Sequence, residues 1–316
     1  MRDLYFVLLP NVLLLDFAGP WHAFQVANIP TPYFRLHAVA PEASVNIGHG
    51  LGLTLTGVEA LPEVLPPGAV VVIPGGHAYE AVLKTPAGQA VLDWLARVFT
   101  PEHCMVTVCS GALVAARAGL LADRRCTTHH VLTERLARLE PRARVVEDRI
   151  FVHDGNVCTS AGFTAGLDLA LYLIGEWCGQ PVALAAARQM VVYLRRSGDD
   201  PQLSPWLSWR NHLHPKVHAV QDRICRHPEQ RWSLEQLADT AHLSVRHLTR
   251  VFRDTTGISI HDYQRRISLD HARRLLAETG HSIERVAELS GFGTARTLRR
   301  AWQAEFGQAP SEMRAS

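Results

Sequence analysis

Apolar residues fall into two rhythms along this chain, and the change from one to the other divides it. In the first part, unbroken apolar runs recur at Leu4 to Leu9, Phe34 to Ala40, Val70 to Ile73 and Met105 to Val108. Runs of this length, rich in Val and Ile and bounded by turn residues, predict buried strands. Between and after them the period lengthens. This predicts helices that begin near Phe17, Pro86, Gly111, Thr128 and Gly162, and a further one from Ala183 to Tyr193. Val145 to Cys158, passing through Asp154-Gly155, reads as a hairpin. Strands alternating with helices predict a layered α/β domain.

Both rhythms break between Arg195 and Pro215, where Ser197-Gly198-Asp199-Asp200-Pro201 and Ser204-Pro205 mark a boundary. The expected organisation is a domain over 1–195, a linker over 196–215 and a second domain over 216–316. Trp206 and Trp209 suggest that the linker docks on one of the domains.

Beyond the linker the periodicity is helical and repeats itself. Ser233-Leu234-Glu235-Gln236-Leu237-Ala238-Asp239, running on to Phe252 and Gly257, matches Ser282-Ile283-Glu284-Arg285-Val286-Ala287-Glu288, running on to Trp302 and Gly307. Self-similarity of this kind marks a duplicated unit. The offset grows by one residue across the second turn, Gly291-Phe292-Gly293, and turns absorb insertions where helices do not. In the first copy Ser233 is placed to cap a helix with Gln236 at its third position, and Ser244 to cap the next. Leu248, Val251 and Phe252 share one face of that next helix, so Arg246, Thr249, Arg250 and Arg253 face the other way. The second copy buries Leu298 and Trp302 and presents Arg296, Arg299, Arg300 and Gln303. Two helix-turn-helix units with matching arginine faces predict reading of double-stranded DNA in the major groove. An apolar-periodic segment from about Ile260 to Thr279 joins them. As a helix it spans about 30 Å, close to one turn of the duplex.

Charge follows the same division. From Val217 onward there are 15 Arg and no Lys against 12 acidic residues, whereas the whole chain carries only +2. Lys84 and Lys216 are the only lysines, so the cations are nearly all guanidinium, the group suited to forked recognition of phosphate and guanine. Six cysteines without a C-x-x-C pair read as reduced thiols in a cytoplasmic chain. The apolar start is interrupted by Pro10-Asn11 and Asp16, and the stretch Phe163 to Gly175 is too short for a bilayer, so neither a signal sequence nor a membrane segment is expected. Neither a P-loop nor G-x-G-x-x-G occurs, and no cofactor is expected. His212, His214 and His218 lack a carboxylate or cysteine at ligand spacing, and no metal is expected.

Candidate chemistry collects where strands end, because ligands of open α/β sheets bind beyond the carboxyl ends. The first strand leads to Asp16, the strand at Val70 leads to Pro74-Gly75-Gly76-His77, and the strand at Met105 leads to Cys109-Ser110-Gly111. A strand ending in Cys-Ser-Gly before a helix has the form of a nucleophile elbow, which would aim the sulfur outward at a helix N-terminus that favours thiolate. Gly75 and Gly76 would then offer amides to an oxyanion. Asp16 has two readings, a cap on the helix at Phe17 or a contact to ligand or thiol. His129 reads as pocket lining, with general base second.

These motifs, together with Ala118 to Ala122, Thr127-Thr128-His129 and Thr159-Ser160-Ala161-Gly162, resemble the ThiJ/PfpI branch of the class I glutamine amidotransferase-like superfamily. The resemblance covers about the first 190 residues. It implies a flavodoxin-like α/β sandwich, and a carboxylate after the first strand, matched by Asp16, that works with the cysteine as in isocyanide hydratases. His130 stands where tryptophan is commoner. The last 100 residues resemble the AraC/XylS family through Ser282 to Gly293 and Phe306-Gly307 with Pro310, although Trp302 and Met313 stand where phenylalanine and tyrosine are commoner. That resemblance implies an all-α domain with two helix-turn-helix motifs. The fusion is similar to GlxA-type regulators, some of which sense amino acids or quaternary amines.

The expected function is a transcription regulator, not an enzyme. Its effector pocket is drawn from Asp16, Gly75, Gly76, Cys109, Ser110, His129 and Ser160. The partners implied are promoter DNA, a small effector, a second copy through the N-terminal domain, and RNA polymerase. A cysteine hydrolase or hydratase with an appended DNA-binding domain is the alternative, and a dimerisation scaffold with a vestigial pocket is a third reading.

Overall fold

The computed structural model describes residues 1–316 apart from 49, 51, 193–195, 199, 201, 203–208, 211 and 313–316, and the side chain of Glu278. Tyr193, Trp206 and Met313, singled out above, lie outside the described residues. Two compact units result, Met1–Gln202 and Leu203–Ser316.

The first unit runs β1 (Arg2–Val7), α1 (Leu14–Ala27), β2 (Phe34–Ala40), β3 (Ser44–Ile47), β4 (Leu53–Thr56), β5 (Glu59–Ala60), β6 (Val70–Ile73), α2 (Tyr79–Val82) and α3 (Pro86–Val98). It continues through β7 (Cys104–Val108), α4 (Gly111–Arg117), β8 (Arg125–Cys126), α5 (Thr133–Leu139), β9 (Arg144–Val145), β10 (Phe151–Asp154), β11 (Val157–Ser160), α6 (Thr164–Cys178) and α7 (Gln180–Gln189). Its main sheet has the order β10-β11-β7-β6-β1-β2-β5. Neighbours are parallel except β10 and β11, which form a hairpin through Asp154-Gly155 as expected but only from Phe151 to Ser160, because Val145 pairs with Cys126 of β8 instead.

Period two explains the layering. Leu4, Phe6 and Leu8 enter one hydrophobic cluster, with α1, α6 and α7, while Tyr5, Val7 and Leu9 enter the other, with α3 and α4. Every residue of β6 is buried, as a central strand covered on both faces requires. Helix α3 shows how local signals agree with packing. Thr85 caps it by accepting from the Gly88 amide at 3.3 Å, Pro86 sits in its first turn, and Val91, Trp94, Leu95 and Val98 form its buried face.

Four helix starts differ from expectation, one of them that of α7, which begins at Gln180 and not at Ala183 because Pro181 suits a first turn. The first helix begins at Leu14, because Leu13 is extended and donates to the Gly75 carbonyl at 2.8 Å. The helix expected at Thr128 begins at Thr133, since the Thr127 amide and the Thr128 hydroxyl are committed to hydrogen bonds elsewhere. The one expected at Gly162 begins at Thr164, after a left-handed Phe163.

The second unit runs α8 (Pro215–Arg226), α9 (Leu234–Ala241), α10 (Val245–Thr256), α11 (Ile260–Glu278), α12 (Ile283–Leu289) and α13 (Ala295–Phe306). It holds two cores, and α11 serves both: Ile260, Tyr263 and Ile267 enter the first, and Leu269, Ala272 and Leu276 the second. Trp209 docks into the first core, edge-on to Tyr263 with ring centroids 5.9 Å apart and with Arg266 over its face. Among the described residues no helix is long and apolar enough to cross a membrane.

Candidate functional site

Strand β7 ends at Val108 and the chain turns into α4 through Cys109, whose φ is +55°. Left-handed backbone at a non-glycine residue is strained, and a strand-to-helix elbow is where such strain recurs. Hydrogen bonds hold it in place. The Cys109 amide donates to the Ser160 carbonyl at 2.9 Å, and the Thr128 hydroxyl donates to the Cys109 carbonyl at 2.8 Å. Close approach on both sides demands glycine: a Cβ on Gly111 would meet the Ile73 carbonyl oxygen at 2.1 Å, and one on Gly162 would meet Cys109 Cβ at 2.4 Å.

Asp16 lies in the first turn of α1 and does not cap it. Its Oδ1 accepts from the Phe163 amide at 2.6 Å, a contact bridging 147 residues of sequence. Oδ2 is sealed from water without a hydrogen bond of full geometry, although the Cys109 thiol and the Gly75 amide face it. Of the two readings offered by sequence, the thiol contact is the one the fold builds. Burial pushes the carboxyl up to about 6, and the three donors hold it from going higher.

The cysteine departs from expectation. Cys109 is only 5% exposed, and its thiol is pushed up to about 12, first by burial and then by the neighbouring Asp16 carboxylate. The Ser110 amide at the start of α4 pulls the other way, as a helix N-terminus should, but it is outweighed. At neutral pH the group is a thiol, not a thiolate. The expected oxyanion donors are also engaged. The Gly76 amide donates to Ser110 Oγ at 2.8 Å, the same hydroxyl donates back to the Gly76 carbonyl at 2.9 Å, and the Gly75 amide faces Asp16.

A cavity of about 170 Å³ opens over the elbow. Gly76, Cys109, Ser110 and His129 line it, as expected; Asp16, Gly75 and Ser160 do not, and Asp16 and Ser160 reach it through their contacts with Cys109. The Ser160 hydroxyl donates to the Thr107 carbonyl at 3.3 Å within the sheet. Burial, with His130 beside it, lowers the pKa of His129, so the ring is neutral at pH 7, and its Nδ1 accepts from the Val131 amide at 3.4 Å. Leu13, Leu113, Leu132 and Phe163 supply apolar walls, and the ion pair Glu80–Arg135 contributes the charge. No motif marked Glu80 or Arg135: they are ordinary surface residues 55 positions apart until the fold joins them.

The second candidate is the duplicated helix pair. Ser233 forms a full capping box on α9, with its hydroxyl accepting from the Gln236 amide at 3.3 Å and the Gln236 side chain accepting from the Ser233 amide at 2.9 Å. Ser244, Ser282 and Thr294 cap α10, α12 and α13 through the hydroxyl alone, accepting from the amides of His247, Arg285 and Thr297. The extra residue in the second turn is visible in the backbone. The first turn holds one left-handed residue, His242, and the second holds two, Gly291 and Gly293. At Gly291 a Cβ would also meet the Glu229 carbonyl oxygen at 2.9 Å.

Leu248 and Phe252 of α10, and Leu298 and Trp302 of α13, are fully buried. Arg246, Thr249, Arg250 and Arg253 are exposed, as are Arg296, Arg299, Arg300 and Gln303. Arg299 is drawn toward Glu284 at 3.4 Å, a weak exposed pair that leaves its guanidinium available. Sequence reasoning missed Glu305, which pairs with Arg266 at 3.0 Å and Arg265 at 3.7 Å and so ties α13 to α11. Among the described residues no group of three or more His, Cys, Asp or Glu is placed to hold a metal.

A doubly wound α/β domain with a cysteine elbow, carried on one chain with a tandem helix-turn-helix module, is the class these features define. Residues 2–176 match the DJ-1/PfpI family and residues 237–316 match a helix-turn-helix domain. The chain belongs to the DJ-1/PfpI family, and its C-terminal part is a helix-turn-helix domain of the AraC type. It is similar to the HTH-type transcriptional regulator CdhR of Pseudomonas aeruginosa, 28% identical over 315 residues, covering 99% of this chain and 92% of that one. GlxA of Rhizobium meliloti, also an HTH-type transcriptional regulator, is 29% identical over 317 residues, covering 98% and 94%. An isonitrile hydratase of Pseudomonas putida is 32% identical over 185 residues, but covers only 58% of this chain and 76% of the enzyme. Among solved structures, a ThiJ/PfpI family protein from Pseudomonas syringae superposes with a TM-score of 0.53 at 22% identity, covering 76% of this chain and 90% of that one.

Proposed function

We propose that this protein is a DNA-binding transcription regulator, and that a small molecule held in the elbow cavity sets its response. The observation that carries the first part is the duplicated helix-turn-helix, in which Arg246 and Arg250 of one recognition helix recur as Arg296 and Arg300 of the other, all exposed. The near full-length similarity to named transcriptional regulators supports it. Helix α11, 19 residues long, spans about 28 Å, which suits two readers placed in successive major grooves. Exposed arginines on each reader provide forked donors for guanine edges and phosphates. Selection from random duplexes with the purified full chain tests this. The expected product is a site with two recognition elements about one helical turn apart. Equal binding of selected and random duplex at moderate salt overturns the proposal.

An effector role for the N-terminal cavity is supported by its form: a small space with apolar walls, a neutral imidazole, a neutral thiol and one ion pair. Its volume is below the range of about 300–1,000 Å³ typical of drug-sized ligands, which points to a metabolite the size of an amino acid or a quaternary amine. The effector acts by binding two states of the regulator unequally. Two copies joined through the N-terminal domain would double the DNA contacts, and light scattering at working concentration tests this, a monomeric mass refuting it.

One observation favours a second reading, the partial match to an isonitrile hydratase together with the facing Asp16 and Cys109. A protonated thiol and an occupied Gly76 amide weigh against turnover. Hydration of an isocyanide by the wild type that disappears in Cys109→Ala would promote the enzyme reading.

A further inference from the structure

The last described residues of the first unit form a strap that bonds to Thr164 and Thr128, the immediate chain neighbours of the cavity-lining residues Phe163 and His129. Arg196 anchors this strap: its amide and Nε donate to the buried Asp168 carboxylate at 3.0 and 2.8 Å, and its Nη2 donates to Thr164 Oγ1 at 2.7 Å. The Ile150 amide divides its hydrogen between the Gly198 and Asp200 carbonyls, at 3.1 and 3.0 Å. A Cβ on Gly198 would meet the Phe151 carbonyl oxygen at 2.8 Å, so Gly198 lies close against the first residue of β10. At its end the Gln202 amide donates to Asp148 Oδ1 at 2.9 Å, and Gln202 Nε2 donates to the Thr128 carbonyl at 2.8 Å. The second unit begins with the next residue.

Thr128 is the junction. Its hydroxyl holds the Cys109 carbonyl at the elbow, its carbonyl holds Gln202, and the following residue, His129, lines the cavity. One residue therefore touches the floor of the cavity, its wall and the exit toward the DNA-binding unit.

We propose that Gln202 is a coupling latch: a ligand that shifts His129 or the elbow changes the Thr128–Gln202 hydrogen bond, and with it the hold on the chain that leads to the helix-turn-helix module. The latch is poised rather than locked. Gln202 Oε1 is sealed from water with no donor, and an orphaned acceptor offsets much of the stability gained from the bond made by Nε2. A bond so nearly balanced is one that a small displacement can tip. Arg196, half-buried, by contrast pairs with the buried Asp168 carboxylate and also donates to Thr164, so the strap stays anchored at its near end while its far end releases.

This inference rests on the effector reading of the cavity, yet it can be tested without an effector. The probe is iodoacetamide, reacting with the cavity thiol Cys109 in the full-length chain, with Cys104 and Cys178 of the same unit as internal references. The site of labelling is read by peptide mass. Gln202→Ala, which removes the bond and the orphaned acceptor together, should raise the labelling rate of Cys109 measurably but by less than about five-fold, the scale of one unopposed hydrogen bond, while the reference cysteines keep their rates. Gln202→Glu, which sets an acceptor against the Thr128 carbonyl, should raise it further. Unchanged labelling of Cys109 in both variants overturns the latch, and so does a parallel rise at all three cysteines, which would report general loosening. A second arm adds a duplex selected as described above. Because coupling is reciprocal, the duplex should alter Cys109 labelling in the wild type and not in Gln202→Ala. No change in the wild type, or the same change in both, overturns the link to the DNA-binding unit. A panel of amino acids and quaternary amines that shifts no melting temperature would end the effector reading and leave the labelling outcome standing.

Discussion

Replacing Asp16 by Asn tests the electrostatics of the elbow most directly. The carboxyl is fully buried, and its pKa stands at about 6 against an ordinary value of 3.8. Between those two pH values the folded protein holds the proton more tightly than the unfolded chain. The stability associated with the protonated form is therefore complete below pH 3.8 and is lost as pH rises through 6. A gap of about two pH units corresponds to about 3 kcal/mol. Asparagine has the shape of the protonated acid, keeps an oxygen for the Phe163 amide, and cannot ionise. Urea denaturation of the full chain followed by tryptophan fluorescence, repeated from pH 4 to pH 8, measures the difference. Wild type and Asp16→Asn should be alike near pH 4, and the variant should be ahead by about 3 kcal/mol at pH 7.5. Removing the carboxylate also removes one of the causes that hold the Cys109 thiol up, so alkylation of Cys109 should quicken in the variant. A stability difference that stays constant across this pH range would refute the account.

Other substitutions probe the remaining links. Arg246→Ala or Arg296→Ala should each relax base preference in one half of the selected site at a cost of about 1–3 kcal/mol, and an unchanged selected sequence would contradict the assigned faces. Trp302→Ala empties the centre of the second helix-turn-helix core and should cost about 3–5 kcal/mol in denaturant, with DNA affinity falling in step; a loss below 1 kcal/mol would mean the site is not packed as described. Gly162→Ala forces a Cβ to within 2.4 Å of Cys109 Cβ at a φ of +104°, and should destabilise the N-terminal unit by about 1–3 kcal/mol. Retention of the wild-type unfolding midpoint would show that the loop yields.

Local signals were easiest to read where one residue type has one physical reason. Serine before a helix caps it, and Ser233, Ser244 and Ser282 all do so. The strand at Val70 is buried along its length because its apolar run has no polar face. The elbow was legible from Cys109-Ser110-Gly111, since a small residue must follow where the helix meets the neighbouring strand. Helix starts were less legible. Leu14 and Thr133 begin their helices where long-range hydrogen bonds from Leu13 and Thr128 release the chain, and those partners are remote in sequence.

What the chain by itself determined was the two-part architecture, the duplicated reader with its added turn residue, and the strand exits at which a pocket would form. Each depends on periodicity or on backbone conformations that few residues tolerate, and both are properties of short segments. Only the tertiary structure decided which of the exit residues line the cavity and which do not, and that Cys109 is a thiol. Burial and the charge of a residue 93 positions away set that protonation state, outweighing the helix terminus beside it. Long-range packing likewise decided that Thr128 would join the elbow to Gln202, for a carbonyl carries no trace in sequence of the partner it will accept from.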